Sequence, residues 1–279
     1  MASSKVPVIV VGPNGKKLGR PVVSALVESD DCVLVGGVTR PNQGVVERIT
    51  GGHGAVIAGS FAALARESPV ETLPDSTVVF YAVKGDDLIA PLKDAVAAGF
   101  RTHVIGSTAI PDITHEAMRN FADNGQVVLE APNFSEEAVV GDWVVEKVAA
   151  ALRNHDAGVQ EVHHGEKADV PSGTARMWGE SIARGRGQRS DTVFLGAPGA
   201  GGQFGRRSDV HDVHIVSRRL GGVPGEHEAM FASQYGALIV TQRAYSSKGF
   251  AQGALRAMRW AAGQEKPSFY TMRDVMGLL

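Results

Sequence analysis

Continuous apolar runs and amphipathic stretches of helix length alternate through the first half of the chain. Residues 8–11 form a β-branched run suited to a strand buried on both faces, with Pro7 at its start and Gly12 at its end. A helical pattern follows over 20–27. Residues 32–38 predict a second strand, 55–57 a short third, and 61–66 a helix. Then come a strand over 77–82, an amphipathic helix over 87–98 closed by Gly99, a strand over 102–105, a helix over 113–124 and a strand over 126–129. Strands joined by helix-length segments predict a parallel sheet with helices on both faces.

The second half has a different pattern. Residues 139–152 predict a helix, 158–164 a strand and 172–184 a helix. Residues 185–209 are rich in Gly and Arg, lack a period and predict a long loop. Residues 210–218 and 237–243 alternate, as in a sheet with unlike faces, and 250–262 predict a last helix. This half reads as a separate α+β domain. There is no internal repeat.

Composition narrows the function classes. Hydrophobic residues make up 43% and charged residues 21%, enough apolar material for a packed core. The formal net charge of −2 gives no basic excess for nucleic acid or an anionic membrane. The single cysteine, Cys32, excludes an intrachain disulfide and argues against a cysteine-based zinc site. No apolar run approaches the roughly 20 residues that cross a bilayer. Residues 1–5 lack the apolar stretch of a leader, so a cytoplasmic protein is expected.

The first strand runs into Gly12-Pro13-Asn14-Gly15-Lys16-Lys17-Leu18-Gly19 and then a helix. Glycine lets backbone approach a pyrophosphate, and a helix N-terminus offers N–H groups and a positive dipole end. The spacing is GxxGxxxG, and a tight structural turn is the plain alternative. An acid at the end of the second strand would bind the ribose hydroxyls of NAD. Here stand Val38, Thr39 and Arg40, which with Lys16 or Lys17 suit a 2′-phosphate, so NADPH is expected and NADH is possible. The three cations could equally be solvated surface charges.

The densest chemistry lies in residues 161–175, EVHHGEKADVPSGTA. Ser172 is a candidate N-cap, and Gly173 and Thr174 then present N–H groups able to take a carboxylate or phosphate. Just upstream, His163, His164 and Lys167 can supply protons to a reacting anion. Convergence of His163, His164, His211, His214 and His227 on a metal is a rival, but the nearby acids lack a ligand spacing and no metal is expected. Lys167 could also be a surface cation paired with Glu166 or Asp169.

The string His163-His164-x-x-Lys167-x-Asp169-x-Pro171-Ser172-Gly173-Thr174-Ala175 is very similar to the signature of the 4-hydroxy-tetrahydrodipicolinate reductase family, also called dihydrodipicolinate reductases. The resemblance takes in the glycine turn, Gly106-Ser107-Thr108, Ala131-Pro132-Asn133-Phe134-Ser135, the Gly221-to-His227 stretch, the Phe250-Ala251-x-Gly253-Ala254 helix and the final Tyr270-x-Met272-x-Asp274-Val275-x-Gly277-Leu278. It implies a Rossmann-type α/β domain from residues 1–134 with 250–279. Residues 135–249 would form an α+β domain for substrate binding and tetramerisation. It implies hydride transfer from NADPH or NADH to a cyclic, unsaturated dicarboxylate in lysine biosynthesis, in a homotetramer. By match to the motif, His163 would donate and accept a proton and Lys167 would donate one. His164, Gly173 and Thr174, with Ser172 helping, would hold the substrate. Residues 12–18, Thr39, Arg40, 106–108 and 131–134 would line the cofactor.

The departures cluster on the cofactor side. The glycine turn is one residue longer than the family's. Tyr81-Ala82-Val83, followed by Lys84, replaces Asp-Phe-Thr. The family's Gly-Thr-Thr-Gly reads Gly106-Ser107-Thr108-Ala109, and Glu136-Glu137 replace small apolar residues. A family His and Arg align with Gln242 and Ser247, next to Lys248. Two alternatives stay open: a paralogue reducing another carboxylated cyclic imine, and a catalytically silent ligand-binding homologue.

Overall fold

A computed structural model describes residues 5–39, 55–67, 75–188, 193–196, 213–246 and 248–278. The chain divides into two compact units, Met1–Phe134 with Lys248–Gly277, and Ser135–Ser247.

The first unit runs β1 (Val6–Val11), α1 (Gly19–Val27), β2 (Cys32–Val38), β3 (Val56–Ala58), α2 (Phe61–Glu67), β4 (Val78–Tyr81), α3 (Ile89–Ala97), β5 (Thr102–Ile105), α4 (Asp112–Asp123) and β6 (Val127–Glu130). After the second unit the chain returns with α7 (Lys248–Ala262), β12 (Ser268–Thr271) and α8 (Met272–Met276). Among the described residues these strands form one sheet in the order β12-β6-β5-β4-β1-β2-β3. Every pairing is parallel. Alternate residues of a strand face opposite ways. Ile9, Val79, Tyr81, Ile105 and Val128 pack with Leu64 of α2, Leu92 of α3 and Met118 of α4. Their neighbours Val8, Val10, Val78, Phe80 and Val104 are equally buried on the side where α7 meets β1, β4 and β5 and α1 meets α7. Both faces are dry, which explains the unbroken apolar runs.

The second unit runs α5 (Glu136–Ala151), β7 (Asp156–His163), α6 (Gly173–Gly185), β8 (Val193–Gly196), β9 (Val213–Arg219), β10 (Glu226–Ala232) and β11 (Ala237–Arg243). Its sheet is mixed, in the order β11-β10-β7-β9-β8, with β7, β8 and β9 parallel and β10 antiparallel to both neighbours. α5 and α6 pack on each other and cover one face. Trp178 of α6 is fully buried against α5, where its Nε1 donates to the Ala138 carbonyl at 3.1 Å. The opposite face carries Val216, Met230 and Ile239, which are 37%, 40% and 47% exposed.

The expected α/β architecture with a second sheet-bearing domain is what the chain forms. Four local expectations change. Within the stretch expected to be one loop, α6 reaches Gly185 and Val193–Gly196 pairs as β8. β10 was not expected: Glu226–Ala232 contains no β-branched residue, so its strand signal is weak. β12 and α8 were not expected either. Thr271 caps α8 in a capping box with Asp274. Finally, α5 begins at Glu136, with Ser135 as N-cap and both glutamates in the first turn. Acids there favour the positive end of the helix dipole, so Glu136-Glu137 mark a helix start. Residues 210–212 and Ser247 lie outside the described residues.

Candidate functional site

The strand order of the first unit reverses between β1 and β4, the place where open parallel sheets take ligands. Hydrogen bonds hold the turns that leave the strands in one row. Thr39 N–H donates to the Ala58 carbonyl at 2.9 Å, Gly12 to Val38 at 2.8 Å, Ala82 to Val11 at 2.8 Å, Gly106 to Tyr81 at 2.9 Å and Ala131 to Ile105 at 2.9 Å. A cleft of about 910 Å³ opens here, lined among others by Gly12, Asn14, Gly15, Thr39, Ala82 and Lys84. Gly12 has φ +79°, and a Cβ on it would stand 2.8 Å from the Ala82 carbonyl oxygen. Only glycine fits this close approach of the turn to the chain leaving β4.

The other expected cofactor residues surround this row. Pro13 is buried, Lys16 and Lys17 are exposed, and Leu18 is half-buried against Gly106. Ser107 is buried and its Oγ has no hydrogen-bond partner among the described residues. Thr108 and Pro132 are exposed, while Ala131, Asn133 and Phe134 are buried. The Phe134 ring lies 5.6 Å from that of Phe80. Arg40 lies outside the described residues. Asp86, Asp87 and Asp94, which the sequence pattern did not single out, also line the cleft.

The second constellation forms where β7 ends and α6 begins. His163 closes β7 and is 7% exposed. Its Nδ1 lies in a short contact with Glu161, whose side chain is fully buried. Arg219, at the end of the neighbouring β9, places Nη1 at 3.0 Å from both Glu161 oxygens. The same guanidinium donates to the main-chain carbonyls of Lys167 at 3.3 Å and Asp169 at 2.6 Å. Lys167 donates to both oxygens of Asp169 at 2.9 Å. Gly225 borders the His163 ring, where a Cβ would stand 2.9 Å from Nε2. His164 is half-buried just past the strand.

Ser172 caps α6, accepting from Ala175 N–H at 3.2 Å. Its own N–H donates to Glu161 Oε1 at 3.2 Å. Its hydroxyl lies 2.9 Å from His227 Nε2, and His227 Nδ1 lies 2.9 Å from Gln242 Oε1. With Gln242 accepting at Nδ1, the proton sits there and Nε2 accepts the Ser172 hydroxyl. Ser172 was expected to help with a substrate carboxylate. Both its N–H and its hydroxyl are instead used inside the protein, so it braces the helix start. Gly173 is exposed and Thr174 half-buried, both in the first turn of α6, at the positive end of its dipole. Gln242, standing where the family has His, keeps a polar partner for His227.

Burial would raise the Glu161 carboxyl, yet hydrogen bonds from His163 and Arg219 outweigh it and hold the group at about 2. Burial pushes His227 down to about 4 against the hydrogen bond its Nδ1 gives to Gln242 Oε1. In the first unit burial does the same to His103, also to about 4, while its ring bonds Tyr81 and Gln126. The sign follows. Below about 6.5 the unfolded chain protonates these histidines while the fold keeps them neutral, so stability falls as pH drops toward 4. Glu161 adds a further loss between about 4.5 and 2, because the unfolded carboxyl protonates first. Between pH 7 and pH 5 each histidine should cost about 2 kcal/mol. Melting temperatures measured across this range should fall by several degrees, and a flat profile would contradict the buried neutral assignments.

Among the described residues no group of three or more His, Cys, Asp or Glu could hold a metal ion. His214 sits exposed on β9, and His211 lies outside the described residues. Arg219 and Glu161 are the structural centre that motif reading did not single out. Glu161 was inside the quoted string, but its burial depends on Arg219, 58 residues away.

Residues 138–276 match the family model described as dihydrodipicolinate reductase, C-terminus. The 4-hydroxy-tetrahydrodipicolinate reductase of Rhodopseudomonas palustris (strain TIE-1) is 30% identical, over 99% of this chain and 98% of that one. That of Ruegeria pomeroyi is 33% identical, over 98% and 99%. A dipicolinate-bound dihydrodipicolinate reductase from Paenisporosarcina sp. TG-14 shares the fold, with a TM-score of 0.72 at 19% identity, covering 96% of this chain and 97% of that one. By its end-to-end likeness to these relatives, the chain belongs to the 4-hydroxy-tetrahydrodipicolinate (dihydrodipicolinate) reductase family.

Proposed function

We propose that this protein reduces 4-hydroxy-tetrahydrodipicolinate to tetrahydrodipicolinate in lysine and diaminopimelate biosynthesis, with a nicotinamide dinucleotide as hydride donor. The observation that carries the reading is the gathering of His163, Lys167 and the α6 N-terminus around one buried carboxylate. The first unit fits a dinucleotide. Gly12, Asn14 and Gly15 line its cleft, where a pyrophosphate would lie, and the buried, unpartnered Ser107 hydroxyl suits a ligand polar atom. Residues 12–18 would hold the phosphates, Thr39 and Arg40 the adenosine side, and 106–108 with 131–134 the nicotinamide side. Bound there, the nicotinamide supplies the hydride.

The chain's own residues do the rest. Gly173 and Thr174, with His164, hold the carboxylates of the substrate against the helix dipole. His163 keeps its Nδ1 on Glu161 and exchanges a proton at Nε2. Lys167 gives a proton and stabilises negative charge as it develops on the reduced ring. Assay of NADPH and NADH oxidation with freshly generated 4-hydroxy-tetrahydrodipicolinate tests the reading. No oxidation of either nucleotide would reject it. Turnover of a different carboxylated cyclic imine in its place would make the chain a paralogue.

We assign NADPH as the preferred nucleotide, since no acid ends β2 and the sequence supplies Arg40 soon after it and Lys16 and Lys17 in the glycine turn. A charge-assisted contact contributes about 1.5–3 kcal/mol. Arg40→Ala should therefore weaken NADPH binding about ten- to a hundredfold, and NADH far less. Equal losses would reject the assignment. We also propose a homotetramer in the cytoplasm, self-associating through the exposed sheet face of Val216, Met230 and Ile239. A monomeric mass in sedimentation equilibrium would overturn the assembly. Among the described residues no helix is long and apolar enough to cross a membrane.

A further inference from the structure

The Glu161 side chain is fully buried and touches three parts of the candidate site at once. Its Oε2 meets His163 Nδ1, and its Oε1 accepts the Ser172 N–H at 3.2 Å, just ahead of α6. Both oxygens accept from Arg219. Arg219 in turn fastens the carbonyls of Lys167 and Asp169, on either side of the turn that carries the Lys167 ammonium. A planar guanidinium can span carboxylate and carbonyls together, which an ammonium cannot. A carboxylate on Nδ1 fixes both the tautomer and the ring plane of an imidazole, leaving Nε2 as the atom that exchanges protons.

We propose that Glu161 and Arg219 are positioning residues for the reduction: Glu161 aligns His163 with its Nδ1–H inward, and Arg219 ties the Lys167 turn to the same carboxylate. The two proton-handling side chains thus share one anchor, although one leaves a strand and the other a turn. The inference rests on the proposed reductase reading, but its first readout needs no substrate.

In the full-length protein, ¹⁵N spectra of the neutral form of the His163 ring should show a protonated Nδ1 and an acceptor Nε2. Glu161→Gln removes the charge at nearly constant shape and should shift that tautomer balance. It should also lower kcat about a hundredfold while changing KM less than about threefold. In a His163→Gln background the same change should cost less than about threefold, because groups acting as a unit lose their effect together. Arg219→Lys preserves the Glu161–His163 contact, so it should leave the Nδ1 signature intact and lower kcat about tenfold through Lys167. This second variant covers the case in which Glu161→Gln does not fold. An Nε2-protonated ring in the unaltered protein would overturn the proposal. So would a full-sized Glu161→Gln loss in the His163→Gln background, or an unchanged kcat in Arg219→Lys. Failure of the unaltered enzyme to turn over the dicarboxylate would reject the reductase reading instead, and would leave the ring spectra standing.

Discussion

Lys167→Ala should lower kcat by about 10²–10⁴-fold while NADPH binds as it does to the unaltered protein. Lys167 is only 20% exposed at its side chain and donates to both carboxylate oxygens of Asp169 at 2.9 Å. That partner holds the ammonium in place, and Arg219 holds the main chain beneath it. The arginine variant separates two roles. Lys167→Arg keeps the positive charge, but a guanidinium does not release its proton at neutral pH. If proton transfer limits the reaction, this variant stays as slow as the alanine. If charge alone matters, it recovers. A lysine engaged only in a surface ion pair would change kcat by less than about twofold on substitution. That result, in a folded protein with normal NADPH affinity, would remove Lys167 from the mechanism.

The parallel sheet was legible because its strands are buried on both sides. Residues 8–11 and 32–38 read as strands without help from partners, and β1 and β2 fall on them within two residues. β10 was not legible because a strand like EHEAMFA has little intrinsic preference and exists by pairing with β7 and β11. The short β8 and β12, of four residues each, depend on neighbours in the same way. The site divides along a similar line. His163, Lys167 and Ser172 could be named from their spacing alone. That Ser172 turns inward depends on His227, 55 residues later, and no local pattern carries that information.

The departures from the family pattern also acquire causes. Ala109 stands where the family has Gly and adopts φ 53°, a left-handed conformation that costs an alanine about 1 kcal/mol or more. The glycine preference at this place is therefore conformational, and the alanine here is tolerated at a cost in stability. Glu136 and Glu137 looked like a change to the cofactor side, but they open α5. What remains altered at the cleft itself is Thr39, in place of an acid, and the run Ala82-Val83-Lys84.

The longer glycine turn leads to the second large effect. Gly19→Ala should weaken NADPH binding about ten- to a hundredfold in a protein that still folds. Gly19 is the first residue of α1 and is buried. A Cβ there would stand 2.1 Å from the Gly12 carbonyl oxygen and 3.1 Å from the carbonyl carbon and oxygen of Pro13. These are main-chain atoms, so no side chain can swing away. Gly15 N–H donates to the same Gly12 carbonyl at 3.1 Å, and Arg20 N–H donates to the Gly15 carbonyl at 2.9 Å. The contact must open by about 1.3 Å or more to reach ordinary van der Waals distance, and the turn then loses the bond that shapes it. Overpacking of this kind costs about 1–3 kcal/mol. Because the displaced atoms are those proposed to face the pyrophosphate, the cost should appear in nucleotide affinity more than in overall stability. NADPH titration by fluorescence, with circular dichroism matching the unaltered protein, reads it directly. Unchanged affinity would mean that the turn does not cradle the nucleotide.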